Sequence, residues 1–272
     1  MELSRKLAAA TRYIRGKTST VLETGIILGS GLSGVVSALN TSFSFSFDEI
    51  PFFPKSTVEG HAGKLVIGDL SGARCAVLAG RIHFYENLSM NEVLYPVRLL
   101  RSLGVKNIIL TSAVGALNLK YNSGDLVLLK DHINLMGASP LAGTRLKDSG
   151  EMFPDMSEVY DPGIADLVIR SARKADIHLR SGVYCAVCGP QYETPAEVRA
   201  FRKLGGDIVG MSVVPEAVCA RQMGMRVAGI SYVSNVLGGR RETALSHKEV
   251  LEAGKKAAAK YIRIFQHVLK GI

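Results

Sequence analysis

Five short segments of the chain carry residue types that hold anions, sugars and flat heterocycles. They are Gly29-Ser30-Gly31-Leu32-Ser33-Gly34, Gly60-His61-Ala62-Gly63, Gly80-Arg81-Ile82-His83-Phe84-Tyr85, Gly189-Pro190-Gln191-Tyr192-Glu193-Thr194 and Gly210-Met211-Ser212. Glycine allows close backbone approach. The hydroxyls of Ser30 and Ser212, the His61 imidazole and the Arg81 guanidinium together describe an oxyanion pocket, with phosphate as its natural guest. Arg81, His83 and Tyr85 stand at i, i+2 and i+4, which in an extended segment puts all three polar tips on one face. Tyr192 and Glu193 add an aromatic ring beside a carboxylate.

Each residue also has a plain structural reading. His61 between glycines suits a turn. Glu193, just before Thr194-Pro195, suits the first turn of a helix, where the dipole favours an acid. Ser212, ahead of Pro215-Glu216, suits a helix cap. The functional reading rests on convergence, so the fold must bring together residues spread over the chain.

The patterning supplies elements to do this. Helical spacing marks residues 2–15, 33–40, 91–103, 163–174, 195–204, 215–223 and 246–270, with Gly104 as a C-cap. Apolar or alternating runs mark strands at 24–29, 43–47, 64–68, 75–79, 107–112, 125–130, 181–188, 207–210 and 226–233. The stretch 136–157 has no periodicity and is the longest loop. Strand and helix alternate without repeats or linkers, so the expectation is one α/β domain over residues 1–272, a central mixed β-sheet flanked by helices.

Composition excludes several classes. The chain has 272 residues, 47% of them hydrophobic, enough to bury a large core. No apolar run is long enough for a membrane span, and the N-terminal segment reads as an amphipathic helix rather than a signal peptide, so a cytoplasmic protein without membrane partners is expected. The formal charge of +9 is dispersed and the aromatic content is only 7%. That favours a solvated basic surface over nucleic-acid binding. Cys185 and Cys188 form C-x-x-C, but no second pair or histidine cluster completes a metal site, and the run 182–189 reads as a buried strand.

Gly29-Ser30-Gly31-Leu32-Ser33-Gly34 also satisfies the dinucleotide pattern G-x-G-x-x-G. That reading needs an acid at the end of the next strand for the ribose. Asp48 and Glu49 come slightly early, and a nucleotide-dependent oxidoreductase leaves Arg81, His83, Glu193 and Asn235 without a role.

Taken in order and spacing, the segments resemble the trimeric purine nucleoside phosphorylases from about Gly25 to Gly254. Further agreement comes from Asp131-His132-Ile133-Asn134-Leu135, Phe153-Pro154-Asp155-Met156-Ser157 and Ser246-His247-Lys248-Glu249-Val250. The resemblance implies a nucleoside-phosphorylase-like fold, a homotrimer, and reversible phosphorolysis of inosine and guanosine or their deoxy forms. Ser30, His61, Arg81, Ser212 and the Ala113 backbone N–H would hold phosphate. Tyr85, His83, His247 and the Met211 backbone would hold the sugar, with Phe153 reaching a neighbouring subunit's sugar site. Tyr192, Glu193, Val209, Met211 and Asn235 would line the base pocket.

The chemistry agrees with the likeness. Glycosidic cleavage builds positive charge on the ribosyl carbon and negative charge on the purine. Phosphate held under the sugar stabilises the first and is placed to attack. Asn235 can donate to purine N7, and Glu193 can accept the N1 hydrogen of a 6-oxopurine, leaving His83, Glu193 and Asn235 as the catalytic candidates. No metal or organic cofactor is called for; inorganic phosphate is a co-substrate. The nearest rival is a methylthioadenosine phosphorylase, which carries an acid where Asn235 stands and lacks His247. Ser112 and Ala116 depart from the family's usual Asn and Gly, and 236–245 diverges most.

Overall fold

The structure, a computed structural model, describes residues 3–55, 62–143, 150–238 and 247–272. Its strands are β1 (Thr24–Ile27), β2 (Asn40–Ser46), β3 (Lys64–Leu70), β4 (Ala73–Ala79), β5 (Asn107–Ala116), β6 (Leu126–Asn134), β7 (Leu179–Ala186), β8 (Ile208–Gly210) and β9 (Arg226–Val236). They form one nine-stranded sheet in the order β2-β3-β4-β1-β5-β8-β7-β6-β9. Because β5 also pairs with β9, the strands β5, β8, β7, β6 and β9 close into a ring, and β1 to β4 extend it as an open sheet. The pairing is mixed: β1 runs parallel to β4 and β5, and β5 parallel to β9, whereas β3 is antiparallel to β4 and β6 to β9.

Apolar strand runs become buried strands covered on both faces. The helices are α1 (Leu3–Arg15), α2 (Met90–Val93), α3 (Tyr95–Ser102), α4 (Pro162–Lys174), α5 (Pro195–Lys203), α6 (Val214–Gln222) and α7 (His247–Val268). One core joins Ala10 and Ile14 of α1, Leu99 and Leu100 of α3, and Ala217 and Ala220 of α6. A second joins Ile164 and Val168 of α4 to Tyr261 and Phe265 of α7. The α/β architecture is the one expected from the sequence.

Several boundaries differ, each for a local reason. The expected helix 91–103 divides at Leu94, because Pro96 has no N–H to continue the ladder. Residues 33–38 form a 3-10 helix, and β2 already begins at Asn40. β5, β6 and β9 run past their expected ends, since ring closure gives their last residues partners. β7 ends at Ala186, so Cys188 lies beyond the strand and gives its thiol to the Met136 carbonyl at 3.0 Å, while Cys185 stays buried in it. Gly104 does close α3, with φ +97 and its N–H on the Arg101 carbonyl.

Candidate active site

The carboxyl ends of β1, β4 and β9 and the second half of β5 meet at one cavity of about 410 Å³. Ligands in sheets of this kind bind beyond the carboxyl ends of parallel strands. The Gly29 loop leaves β1 and is pressed between β5 and α7. A Cβ on Gly29 would lie 2.7 Å from Ser112 Cα, and one on Gly31, where φ is +73, 2.7 Å from the Leu251 carbonyl oxygen. The Ser30 carbonyl accepts the Tyr232 hydroxyl at 2.9 Å. These glycines therefore serve loop packing. Asp48 and Glu49, the acids a dinucleotide site would need, sit past the edge strand β2, with β3 and β4 intervening, and Glu49 caps the Ser46 N–H at 3.0 Å. The structure gives no support to the dinucleotide reading.

β4 delivers Arg81. The guanidinium is only 2% exposed, its Nε donating to Glu216 Oε1 at 2.8 Å and its Nη1 to the Thr111 carbonyl at 2.5 Å. Nη2 is a buried donor with no partner among the described residues. A buried, fixed guanidinium with one donor to spare suits an oxyanion. Glu216 neutralises it at a site the sequence alone suggested only as helix start.

His83 and Tyr85 reach the cavity by another route than the one-face strand expected. The chain turns into a 3-10 helix at Phe84–Glu86, and this stacks the Tyr85 ring on His83 with centroids 4.7 Å apart. His83 Nδ1 lies 3.1 Å from Glu86 Oε1. Burial is the main influence on His83 and holds its pKa below the ordinary histidine value, which favours the neutral imidazole.

At the end of β8, Met211 and Ser212 enter the pocket. Val213 follows with φ +61 and ψ −55, and the Val214 N–H returns to the Ser212 carbonyl at 2.6 Å. This is a classic γ-turn on a β-branched residue, a conformation costing about 1–3 kcal/mol and found where geometry at a site is over-determined. It lets α6 begin directly behind Ser212. Gly189 packs against Met211, where a Cβ would lie 2.3 Å from its sulfur.

The opposite end holds Tyr192, Glu193, Val209 and Asn235. Asn235 is 5% exposed, and its Oδ1 accepts the Ser234 hydroxyl at 2.7 Å. This leaves Nδ2 as a second buried donor with no partner among the described residues. Burial raises the Glu193 pKa above the ordinary glutamate value. Tyr192 is 42% exposed, and His247, at the start of α7, is also exposed at the rim.

The cavity thus gathers Ser30, Arg81, His83, Tyr85, Ala113, Tyr192, Glu193, Val209, Met211, Ser212, Asn235 and His247. His61 lies outside the described residues, as does most of the divergent 236–245 stretch. Phe153 does not line the cavity of its own chain; it is 86% exposed beside Met152, itself 81% exposed. Sequence reasoning missed Glu216 and also Tyr184, whose ring lies behind Ser212. Both are buried polar side chains in segments that read as ordinary helix and strand. Among the described residues no group of three or more His, Cys, Asp or Glu is placed to hold a metal ion. No described helix is long and apolar enough to cross a membrane.

Residues 23–270 match the Phosphorylase superfamily. The chain is 43% identical over 264 residues to purine nucleoside phosphorylase 1 of Bacillus subtilis, covering 97% of each chain. It is 40% identical over 267 residues to purine nucleoside phosphorylase of Rattus norvegicus, covering 96% of this chain and 92% of that one. The fold superposes on the crystal structure of Schistosoma mansoni purine nucleoside phosphorylase in complex with adenosine, with a TM-score of 0.92, 36% identity and coverage of 98% and 96%. A Schistosoma purine nucleoside phosphorylase in complex with guanosine gives a TM-score of 0.90 at 35% identity, again covering 98% and 96%.

Proposed function

Because the chain belongs to the phosphorylase superfamily and, within it, to the purine nucleoside phosphorylases, we propose that its cavity carries out reversible phosphorolysis of 6-oxopurine (deoxy)ribonucleosides. The products are the free purine and (deoxy)ribose 1-phosphate. One observation carries the reading: a single cavity holds two buried donors with no partner among the described residues, Arg81 Nη2 and Asn235 Nδ2, one suited to phosphate and one to a purine.

Phosphate binds to Arg81, Ser30, Ser212, His61 and the Ala113 N–H, under the sugar held by Tyr85, His83, His247 and Met211. As the glycosidic bond lengthens, the bound anion lowers the energy of the cationic ribosyl carbon and is already positioned to attack it. Neutral His83 meets the sugar hydroxyls as donor or acceptor without adding a competing charge. The departing purine gains electron density, which Asn235 Nδ2 stabilises by donating to N7. Glu193 accepts N1–H, a match adenine cannot offer, and a polar mismatch of this kind discriminates by ~10⁴ or more. Val209, Met211 and the Tyr192 ring enclose the base.

The exposed Phe153 and Met152 suit a homotrimer in which Phe153 covers a neighbour's sugar site. A cytoplasmic setting and a reaction without metal or organic cofactor complete the reading. The deciding experiment is purine release from inosine with and without inorganic phosphate. Release is expected only with phosphate, in step with ribose 1-phosphate. Equally fast release without it would make the protein a hydrolase and overturn the proposal.

A further inference from the structure

Behind the phosphate end of the cavity lies a chain of buried hydroxyls that none of these roles uses. Tyr184, in β7, is fully buried. Its hydroxyl oxygen accepts the Ser212 backbone N–H at 3.3 Å, and the hydroxyls of Ser212 and Ser112 stand close enough to oppose the rise that burial gives its pKa. Ser112 Oγ lies 2.8 Å from Ser231 Oγ, its register partner across β5 and β9, and both residues are 2% exposed or less. Gly210 makes room for the ring: a Cβ there would lie 2.2 Å from the Tyr184 hydroxyl.

A buried tyrosine hydroxyl requires partners. Here the turn after β8 supplies the Ser212 N–H, and the Ser112-Ala113 stretch of β5 brings a second hydroxyl beside it. A phenol can accept an N–H and share a proton with a serine at once, so one oxygen couples segments about 100 residues apart in sequence. We infer that Tyr184 is a positioning residue for phosphate: with Ser112 and Ser231, its hydroxyl holds Ser212 and the Ala113 N–H at the spacing the anion needs. Ser112, where the family resemblance leads one to expect Asn, makes the contact with Ser231 a property of this chain's own residues.

The inference rests on the phosphorolysis reading, so wild-type kinetics are measured first. Phosphate-independent release there overturns that reading and this inference together. With wild type behaving as a phosphorylase, Tyr184→Phe removes one oxygen and keeps the ring. The phosphate KM should rise about 3–10-fold, the effect of losing one or two neutral hydrogen bonds, while the inosine KM moves less than about twofold. Calorimetric titration with inorganic phosphate alone should show the same loss. Ser112→Ala should raise the phosphate KM too, and the double variant should fall short of the product of the two effects, because both act through one network. An unmoved phosphate KM, an equal rise in both KM values, or full additivity overturns the inference. Should Tyr184→Phe not fold, Ser112→Ala decides alone: a phosphate-selective rise supports it and the absence of one overturns it.

Discussion

The two ends of the cavity are held by different means. At the end proposed for phosphate, Arg81 is 2% exposed and tied to Glu216 and to the Thr111 carbonyl. The Gly29 loop is wedged against β5 and α7, and Ser212 is backed by Tyr184. The supports there come from β5, β7, α6 and α7, and Thr111, Tyr184 and Glu216 among them are buried. At the end proposed for the base, Tyr192 is 42% exposed, Glu193 is half-buried, and both belong to the connection between β7 and α5. Asn235 and Val209 are anchored by strands, β9 and β8. A co-substrate that never varies can be met by a site locked into the core. Purines differ at the 6-position and the 2-position, and a nucleoside must also enter and leave, so its contacts sit on elements with less of their backbone buried.

The largest expected effect comes from attacking the locked end at Arg81. Arg81→Ala removes a charge-assisted phosphate contact worth about 1.5–3 kcal/mol. It also strands Glu216, 3% exposed, without its cation. Breaking a buried pair in this way costs about 3–5 kcal/mol of stability. The single variant should therefore unfold at markedly lower denaturant, and its kinetics alone would mislead. Arg81→Ala/Glu216→Gln should recover most of the stability while the phosphate KM stays raised by tenfold or more. A folded double variant with a wild-type phosphate KM would show that the locked end is scaffold and not binding site.

The comparison sharpens at Asn235, the polar side chain proposed to meet the base from a strand. Its Nδ2 suits N7 and O6 of hypoxanthine or guanine. Asn235→Asp sets a carboxylate against O6 but offers an acceptor to the adenine amino group. The inosine-to-adenosine ratio of kcat/KM should fall by about 10²-fold, at an unchanged phosphate KM. Glu193, still mismatched to adenine N1, should keep adenosine a modest substrate. A ratio that does not fall would place Asn235 away from the 6-position.

Sequence and structure meet unevenly across these ends. The glycine loops, Arg81 and the Tyr192-Glu193 pair were legible because each combines a backbone signal with a side chain out of place in a plain turn. Gly104 and the prolines at 195 and 215 marked helix ends through local sterics, which a single sequence does encode. What was not legible is long-range. Glu216 pairs with Arg81 across 135 positions, and nothing in Val213-Val214-Pro215-Glu216 distinguishes a buried counter-ion from a first-turn acid. Tyr184 sits in an apolar strand where tyrosine is ordinary. The closure of β5 on β9 depends on pairing that periodicity cannot see, and so β5 and β9 run longer than their apolar runs suggested. His83 and Tyr85 reached the cavity by stacking after a 3-10 turn, a geometry that i, i+2 spacing does not signal.

The smallest effect tests whether the two ends are mechanically separate. Glu193 is followed at once by Thr194, the N-cap of α5. The Thr194 hydroxyl accepts the Glu197 N–H at 3.3 Å and donates to Glu197 Oε2 at 2.9 Å, while that carboxylate also accepts the Thr194 N–H at 2.8 Å. This reciprocal cap fixes the direction in which the chain leaves Glu193. Thr194→Ala removes the hydroxyl and costs about 1 kcal/mol of local helix stability. No buried group is stranded, since the cap is solvent-exposed. The loss loosens the first turn of α5 and with it the backbone that carries Glu193, so the inosine KM should rise, by no more than about fivefold, the equivalent of the whole ~1 kcal/mol. The phosphate KM should stay within experimental error, because the Tyr184 network and the Arg81 pair make no use of α5. Both constants measured on one preparation give the answer. A matched rise in the two would mean that the ends respond as one body, and the division between a locked phosphate end and an adjustable base end would have to be abandoned.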